Sequence, residues 1–177
     1  ARKRANIPTV SLVGYTNAGK SVLFNALTAA DAYTADQLFA TLDPILRRIP
    51  IQDIGPIVIA DTVGFIRHLP HKLVEAFRAT LEAVAQSDLL IHVIDCADEE
   101  RADKIVQVEA VLKEIGADNI PRLEVYNKVD LLETPPHIDR DQNGLSWRIW
   151  LSAVEQQGMP LLLSVLSETL GKDLVSG

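Results

Sequence analysis

A short β-branched run, Thr9-Val10-Ser11-Leu12-Val13, leads into Gly14-Tyr15-Thr16-Asn17-Ala18-Gly19-Lys20-Ser21, and Val22-Leu23-Phe24-Asn25-Ala26-Leu27 follows at helical spacing. A strand, a glycine loop and a helix in direct succession leave few folds open, because the loop must reverse the chain within a few residues. Gly14 and Gly19 permit that reversal and present successive backbone N–H groups on the inside of the turn. The positive end of the following helix adds to the field there. Such a loop attracts phosphate oxygens. Lys20 supplies a point charge to the β- and γ-phosphates of a nucleotide, and the Ser21 hydroxyl is placed to ligate Mg²⁺. All of residues 14–22 are therefore read as nucleotide-binding. The pattern G-x-x-x-x-G-K-S/T arises by chance in roughly one chain of this length in two hundred. The flanking strand and helix are what separate it from an incidental turn.

At 177 residues and 47% hydrophobic, the chain suits one domain with a full core. Its net charge of −7 argues against general binding to a polyanion such as DNA, although a local basic patch is compatible with it. Cys96 is the only cysteine, which rules out an internal disulfide and fits a reducing cytosol. The longest apolar runs are strand-sized, so no membrane span is expected. The sequence opens on Ala1-Arg2-Lys3-Arg4 with no methionine and no apolar signal region, the expectation for a fragment of a longer protein.

Strand-like runs recur at 45–51, 57–60, 89–96, 122–126 and 146–151, with helical patterns between them and at 159–170. Leu73, Phe77, Leu81 and Val84 mark one helix face, and Ile105, Val108, Leu112 and Ile115 another, stopped by Gly116. Residues 31–43 lack periodicity, 65–72 read as a loop broken by Pro70, and 134–144 as a polar loop. Six strands alternating with helices predict an α/β fold: a mostly parallel, doubly wound sheet with helices on both faces. Ligands then bind at the carboxyl ends of the strands, where every chemical motif of this chain falls.

One of those motifs is Asp61-Thr62-Val63-Gly64, at the end of a buried strand. Alone it is a common turn pattern. Downstream of a phosphate loop, the Asp61 carboxylate can hold Mg²⁺ through its water shell, and the Gly64 N–H can bond a γ-phosphate and release it on hydrolysis. Asn127-Lys128-Val129-Asp130 reads the base. The Asp130 carboxylate accepts from N1–H and the 2-amino group of guanine, whereas adenine offers neither and leaves the carboxylate unpaired. Ser152-Ala153, after the last strand, offers a backbone N–H to the guanine oxygen; a plain surface turn is the alternative.

The order GYTNAGKS, FATLDP, DTVGFIRHLP, NKVD and LSA resembles the GTPase domain of the HflX family, in the OBG–HflX group of translation-factor GTPases. The likeness covers essentially the whole chain, and FATLDP with the proline-interrupted DTVGFI segment is more specific than the phosphate loop. It implies a GTPase (G) domain of the P-loop type at residues 8–177, with residues 1–7 left from an N-terminal linker. It also implies that Thr41 joins Mg²⁺ in the GTP state and that 31–42 and 65–72 are the two switches. Asn17 stands where similar GTPases use an asparagine to hold a K⁺ between the phosphates; a good turn residue is the equal alternative. The large ribosomal subunit is the implied partner, mainly through an N-terminal domain outside this sequence.

Two departures stand out. Val22 replaces a threonine of many relatives, which forfeits one side-chain hydrogen bond near the α-phosphate. Phe65 follows Gly64 where many small GTPases place a water-orienting glutamine. Nothing in the sequence brings Gln37 or Gln86 to the γ-phosphate instead. His68 and His71 read as surface or packing residues, His92 as a core histidine and Cys96 as a small buried hydrophobe. The leading reading is thus a slow GTP-hydrolysing switch with Lys20, Thr41, Gly64 and Asn17 at the reacting phosphate. A nucleotide-binding module with negligible hydrolysis and an ATP-using P-loop protein are the alternatives.

Overall fold

The computed structural model describes residues 7–15, 17–28, 45–62, 78–144 and 146–176. In chain order these form β1 (Thr9–Gly14), α1 (Lys20–Thr28), β2 (Ile45–Ile51), β3 (Gly55–Asp61), α2 (Arg78–Ala85) and β4 (Leu89–Asp95). Then come α3 (Arg101–Glu114), β5 (Arg122–Asn127), a 3₁₀ turn (Val129–Leu131), β6 (His137–Arg140), β7 (Ser146–Trp150) and α4 (Met159–Ser176). The seven strands make one sheet in the order β2-β3-β1-β4-β5-β7-β6. The five inner strands, β3, β1, β4, β5 and β7, are parallel, and the two edge strands β2 and β6 run antiparallel to their neighbours.

The alternation of sequence patterns produces this sheet directly. β4 is buried along nearly its whole length, as its apolar run, interrupted only by His92, requires of a strand covered on both faces. Leu23 and Phe24 of α1 join Leu162, Val165 and Leu166 of α4 on one face, over Val10, Leu12, Ile59, Ile91 and Val125. Each such side chain, fully buried, contributes about 1.5–3 kcal/mol. On the other face, Leu81 and Val84 of α2 and Val108 and Leu112 of α3 pack over Val13 and Leu90. Leu73 and Phe77, expected on the α2 face, lie outside the described residues. Cys96 is buried beside Ile94, Tyr126 and Val129, as a small hydrophobe would be.

The sheet has one strand more than the sequence suggests. β6 falls in the segment read as a polar loop, and its register is held by contacts from β7: the Trp150 indole N–H donates to Asp139 at 2.9 Å, and the His137 ring stacks on Trp150 with centroids 5.1 Å apart. Ile138 packs against the core from this edge. The last helix also runs past Leu170 to Ser176.

His92, on β4, is 2% exposed and its Nδ1 has no hydrogen-bond partner. Burial, and then the Arg122 guanidinium, lower its pKa to about 4; Glu109, 4.0 Å away, is itself paired with Arg122 at 2.6 Å. Because the unfolded chain takes up this proton near pH 6.5 and the folded one does not, stability falls as pH drops from 6.5 to 4, by about 3 kcal/mol in all. Urea unfolding at pH 7 and pH 4.5 checks this. His92→Leu should lose about 2 kcal/mol less than the parent over that step; equal losses would remove His92 as the cause.

Candidate functional site

β1, β3, β5 and β7 end on the same edge of the sheet, and the loops that follow them meet there. Gly14 ends β1 so close to β4 that a Cβ on it would lie 2.5 Å from the Val93 carbonyl oxygen. The chain then turns, with the Ala18 N–H bonding the Tyr15 carbonyl at 3.2 Å, and α1 begins at Lys20. Gly19, at φ +89°, is required for a second reason: a Cβ there would meet the Asn127 side-chain amide at 2.3 Å. Without that Cβ, Asn127 reaches across to donate to the Ala18 carbonyl at 2.9 Å.

Lys20 and Asp61 are forty-one positions apart in sequence, but β1 and β3 are adjacent with Leu12 opposite Asp61, which brings them together. The Lys20 ammonium donates to the Asp61 carboxylate and to the Thr62 carbonyl. All three groups are buried, with Lys20 6% and Asp61 0% exposed. Thr62 is fixed in turn by its hydroxyl, which donates to the Leu12 carbonyl at 2.6 Å. The second oxygen of Asp61 is buried without a hydrogen-bond partner. It and the buried Ser21 hydroxyl are hard oxygen donors, the class that takes Mg²⁺ when water and phosphate oxygens complete the shell. The donor set fits that ion. Among the described residues no group of three or more His, Cys, Asp and Glu side chains could hold a metal on its own.

On the other side of the loop, Asn127 ties three segments together: besides its bond to Ala18, its side-chain oxygen accepts from the Ala153 N–H at 3.0 Å. The Ser152 hydroxyl donates to Asp130 at 2.7 Å and aims that exposed carboxylate. Lys128 sits in the left-handed region at φ 77°, uncommon for a side-chain-bearing residue and of the kind that clusters at functional sites. Its ammonium donates to the Asn17 carbonyl at 2.7 Å. Between these groups lies a cavity of about 410 Å³, lined by Asn17, Gly19, Val22, Asn127, Lys128, Asp130 and Ser152. Ligand pockets occupy roughly 300–1,000 Å³, so the space suffices for a nucleoside. A second cavity behind the loop, between Tyr15, His92 and α3, has about 20 Å³ and room for no more than about one water.

Gly14, Tyr15, Asn17, Ala18, Gly19, Lys20, Ser21, Val22, Asp61, Asn127, Lys128, Asp130, Ser152 and Ala153 thus gather at one edge. Thr16, Thr41, Gly64, Phe65, Gln37, His68 and His71 lie outside the described residues. Gln86 is exposed in the turn before β4, at the opposite edge of the sheet, two residues from Asp88, which bonds the Thr9 N–H. Leu131 and Val154 also line the large cavity although 62% and 68% exposed, and sequence reasoning passed over both. Apolar residues placed directly after the strand-end motifs were the available signal.

A mostly parallel sheet with a glycine loop between an inner strand, β1, and the first helix, flanked by an acidic strand end and an Asn-Lys-x-Asp turn, defines a P-loop nucleotide-binding domain. The chain belongs to the family of 50S ribosome-binding GTPases, whose family model matches residues 9–128. It is 57% identical over 175 residues to the GTPase HflX of Escherichia coli K12, covering 98% of this chain and 41% of that protein. Against the GTPase HflX of Caldanaerobacter subterraneus subsp. tengcongensis, identity is 50% over 172 residues, covering 97% of this chain and 39% of the relative. The chain therefore spans about two-fifths of the length of these curated relatives. Among solved structures, a GTP-binding protein from the archaeon Sulfolobus solfataricus in complex with GDP superposes with a TM-score of 0.69 at 31% identity, covering 91% of this chain and 51% of that one. Among the described residues no helix is long and apolar enough to cross a membrane.

Proposed function

We propose that this chain is the switch unit of a GTP-hydrolysing protein: a single GTPase domain over residues 8–177, preceded by the end of a linker at residues 1–7. The observation that carries this reading is the contact of one glycine loop with Asp61 through Lys20 and with the base-reading turn through Ala18 and Asn127. Lys20 neutralises the β- and γ-phosphates, and the N–H groups of residues 14–22 cradle them. Ser21 and, through water, Asp61 hold Mg²⁺, which when bound neutralises charge developing on the phosphates. Thr41 completes that shell and Gly64 bonds the γ-phosphate in the GTP state. Asp130 reads guanine, Ser152 orients it, and Ala153 offers its N–H to the base oxygen. The direct test is hydrolysis of GTP by the chain in Mg²⁺. No phosphate release above background would leave a binding module.

With phenylalanine after Gly64, intrinsic turnover should be slow, on the order of 10⁻⁴ to 10⁻³ s⁻¹. Asn17 holds a K⁺ beside the phosphates in this proposal, which supplies part of the charge that an arginine finger otherwise brings. Rates should then be higher in KCl than in NaCl at equal ionic strength, and Asn17→Ala should abolish the difference. Equal rates in both salts would leave Asn17 as a turn residue.

The cytosolic ribosome is the partner this reading implies, its large subunit bound mainly by parts of the protein outside these residues. The net charge of −7 supports that division, because strong association with ribosomal RNA needs many Lys and Arg contacts. At physiological salt the 177 residues alone should pellet weakly with ribosomes. Strong nucleotide-dependent pelleting would put the ribosome-binding surface in this domain.

A further inference from the structure

We propose that Asp95, the last residue of β4, is a positioning residue for guanine nucleotide binding that acts through Lys128. The inference rests on the guanine-binding function proposed above. β4 and β5 are parallel neighbours with Asp95 opposite Asn127, so the residue after Asn127 emerges beside the Asp95 carboxylate. One oxygen of Asp95 lies 3.2 Å from the Lys128 ammonium, and the other accepts from the Ala97 N–H at 2.9 Å. Both oxygens are engaged, which fixes the rotamer. The nearby Asp98 is already taken by Lys104 at 2.6 Å, leaving Asp95 as the carboxylate that holds Lys128.

The consequence falls on the base cavity. Lys128 lines that cavity, and its stem passes beside Gly19, the Cε 3.8 Å from where a Cβ would stand. Its ammonium is divided between Asp95 and the Asn17 carbonyl. A lysine stem is otherwise among the most mobile of side chains, and its ordering is unfavourable in entropy. Asp95 and Lys128 are 21% and 31% exposed, so as an ion pair they stabilise the fold only slightly. What the pair supplies is geometry: it holds the lysine stem as a wall of the cavity and ties the glycine loop to the base-reading turn. Asp95 itself does not line the cavity.

The test is a double-mutant cycle on GDP affinity with Asp95→Asn and Lys128→Met, titrated to millimolar nucleotide so that all four proteins are measured. Asp95→Asn keeps an oxygen for the Ala97 N–H and replaces the charged acceptor facing Lys128 with an uncharged NH₂ donor. It should weaken GDP about five-fold in the parent and by less than about two-fold in Lys128→Met. The melting temperature without nucleotide should be unchanged by Asp95→Asn. Parental affinity in Asp95→Asn, or the same loss in both backgrounds, would overturn the proposal while the guanine reading stands. A parent that binds ADP as well as GDP would overturn both.

Discussion

Asp130→Ala should lower affinity for GDP by about two orders of magnitude and leave the fold nearly untouched. The carboxylate is exposed, and its one described partner is the buried Ser152 hydroxyl at 2.7 Å, which still accepts from the Glu155 N–H at 3.2 Å after the change, so the fold loses one hydrogen bond, about 1 kcal/mol. In the complex proposed above it would accept two hydrogen bonds from guanine. Charge-assisted bonds of this kind contribute about 1.5–3 kcal/mol each. Asp130→Asn gives a sharper version of the experiment. An amide presents one acceptor and one donor where the carboxylate presents two acceptors, and xanthine carries an oxygen where guanine carries its 2-amino group. The asparagine variant should therefore prefer xanthine nucleotides. Titration of GDP and XDP into parent and variants reads both effects; parental affinity for GDP in Asp130→Ala would remove the base-reading role.

Lys20→Met should act on both stability and catalysis. Lys20 and Asp61 form a buried pair, and removing the cation strands a fully buried carboxylate, a loss of about 3–5 kcal/mol. That is a large part of the stability of an ordinary domain. Adding Asp61→Asn should recover much of it, because the uncompensated charge is gone. GTP hydrolysis should not recover. The lysine charge at the β- and γ-phosphates is missing in both variants, and loss of such a group lowers turnover by roughly 10²–10³. Denaturant unfolding without nucleotide, beside phosphate release, separates the two effects. A single variant as stable as the parent would show that the pair does not hold the loop to β3.

Much of this was legible in the sequence because its causes are local. The buried strands announce themselves as apolar runs, and the glycine loop by its spacing between strand and helix. The bonds that assemble the site are long-range. Nothing in the sequence around Lys20 indicates that Asp61 will meet it; the adjacency of β1 and β3 does so, and strand order is not written in any one segment. The same holds for Asn127, whose reach to Ala18 depends on a missing Cβ at Gly19. β6 was hidden for a related reason. His137-Ile138-Asp139-Arg140 follows two prolines and precedes Asp141-Gln142-Asn143-Gly144, a loop-like context, and its pairing depends on Trp150 from the next strand. Asp95 was passed over because an aspartate at a strand end matches no motif, and its partner becomes visible only once β4 and β5 are paired.

The central claim is that one cleft, at the carboxyl ends of β1, β3, β5 and β7, binds guanine nucleotides through the glycine loop and Asp130. Displacement of a fluorescent GDP analogue by GTP, GDP, ATP and ADP in Mg²⁺ tests it most directly. GTP and GDP should compete at concentrations at least about a thousandfold lower than ATP and ADP, as expected of a site built to hydrogen-bond one base. Displacement by ATP in the same concentration range as GTP would contradict the account.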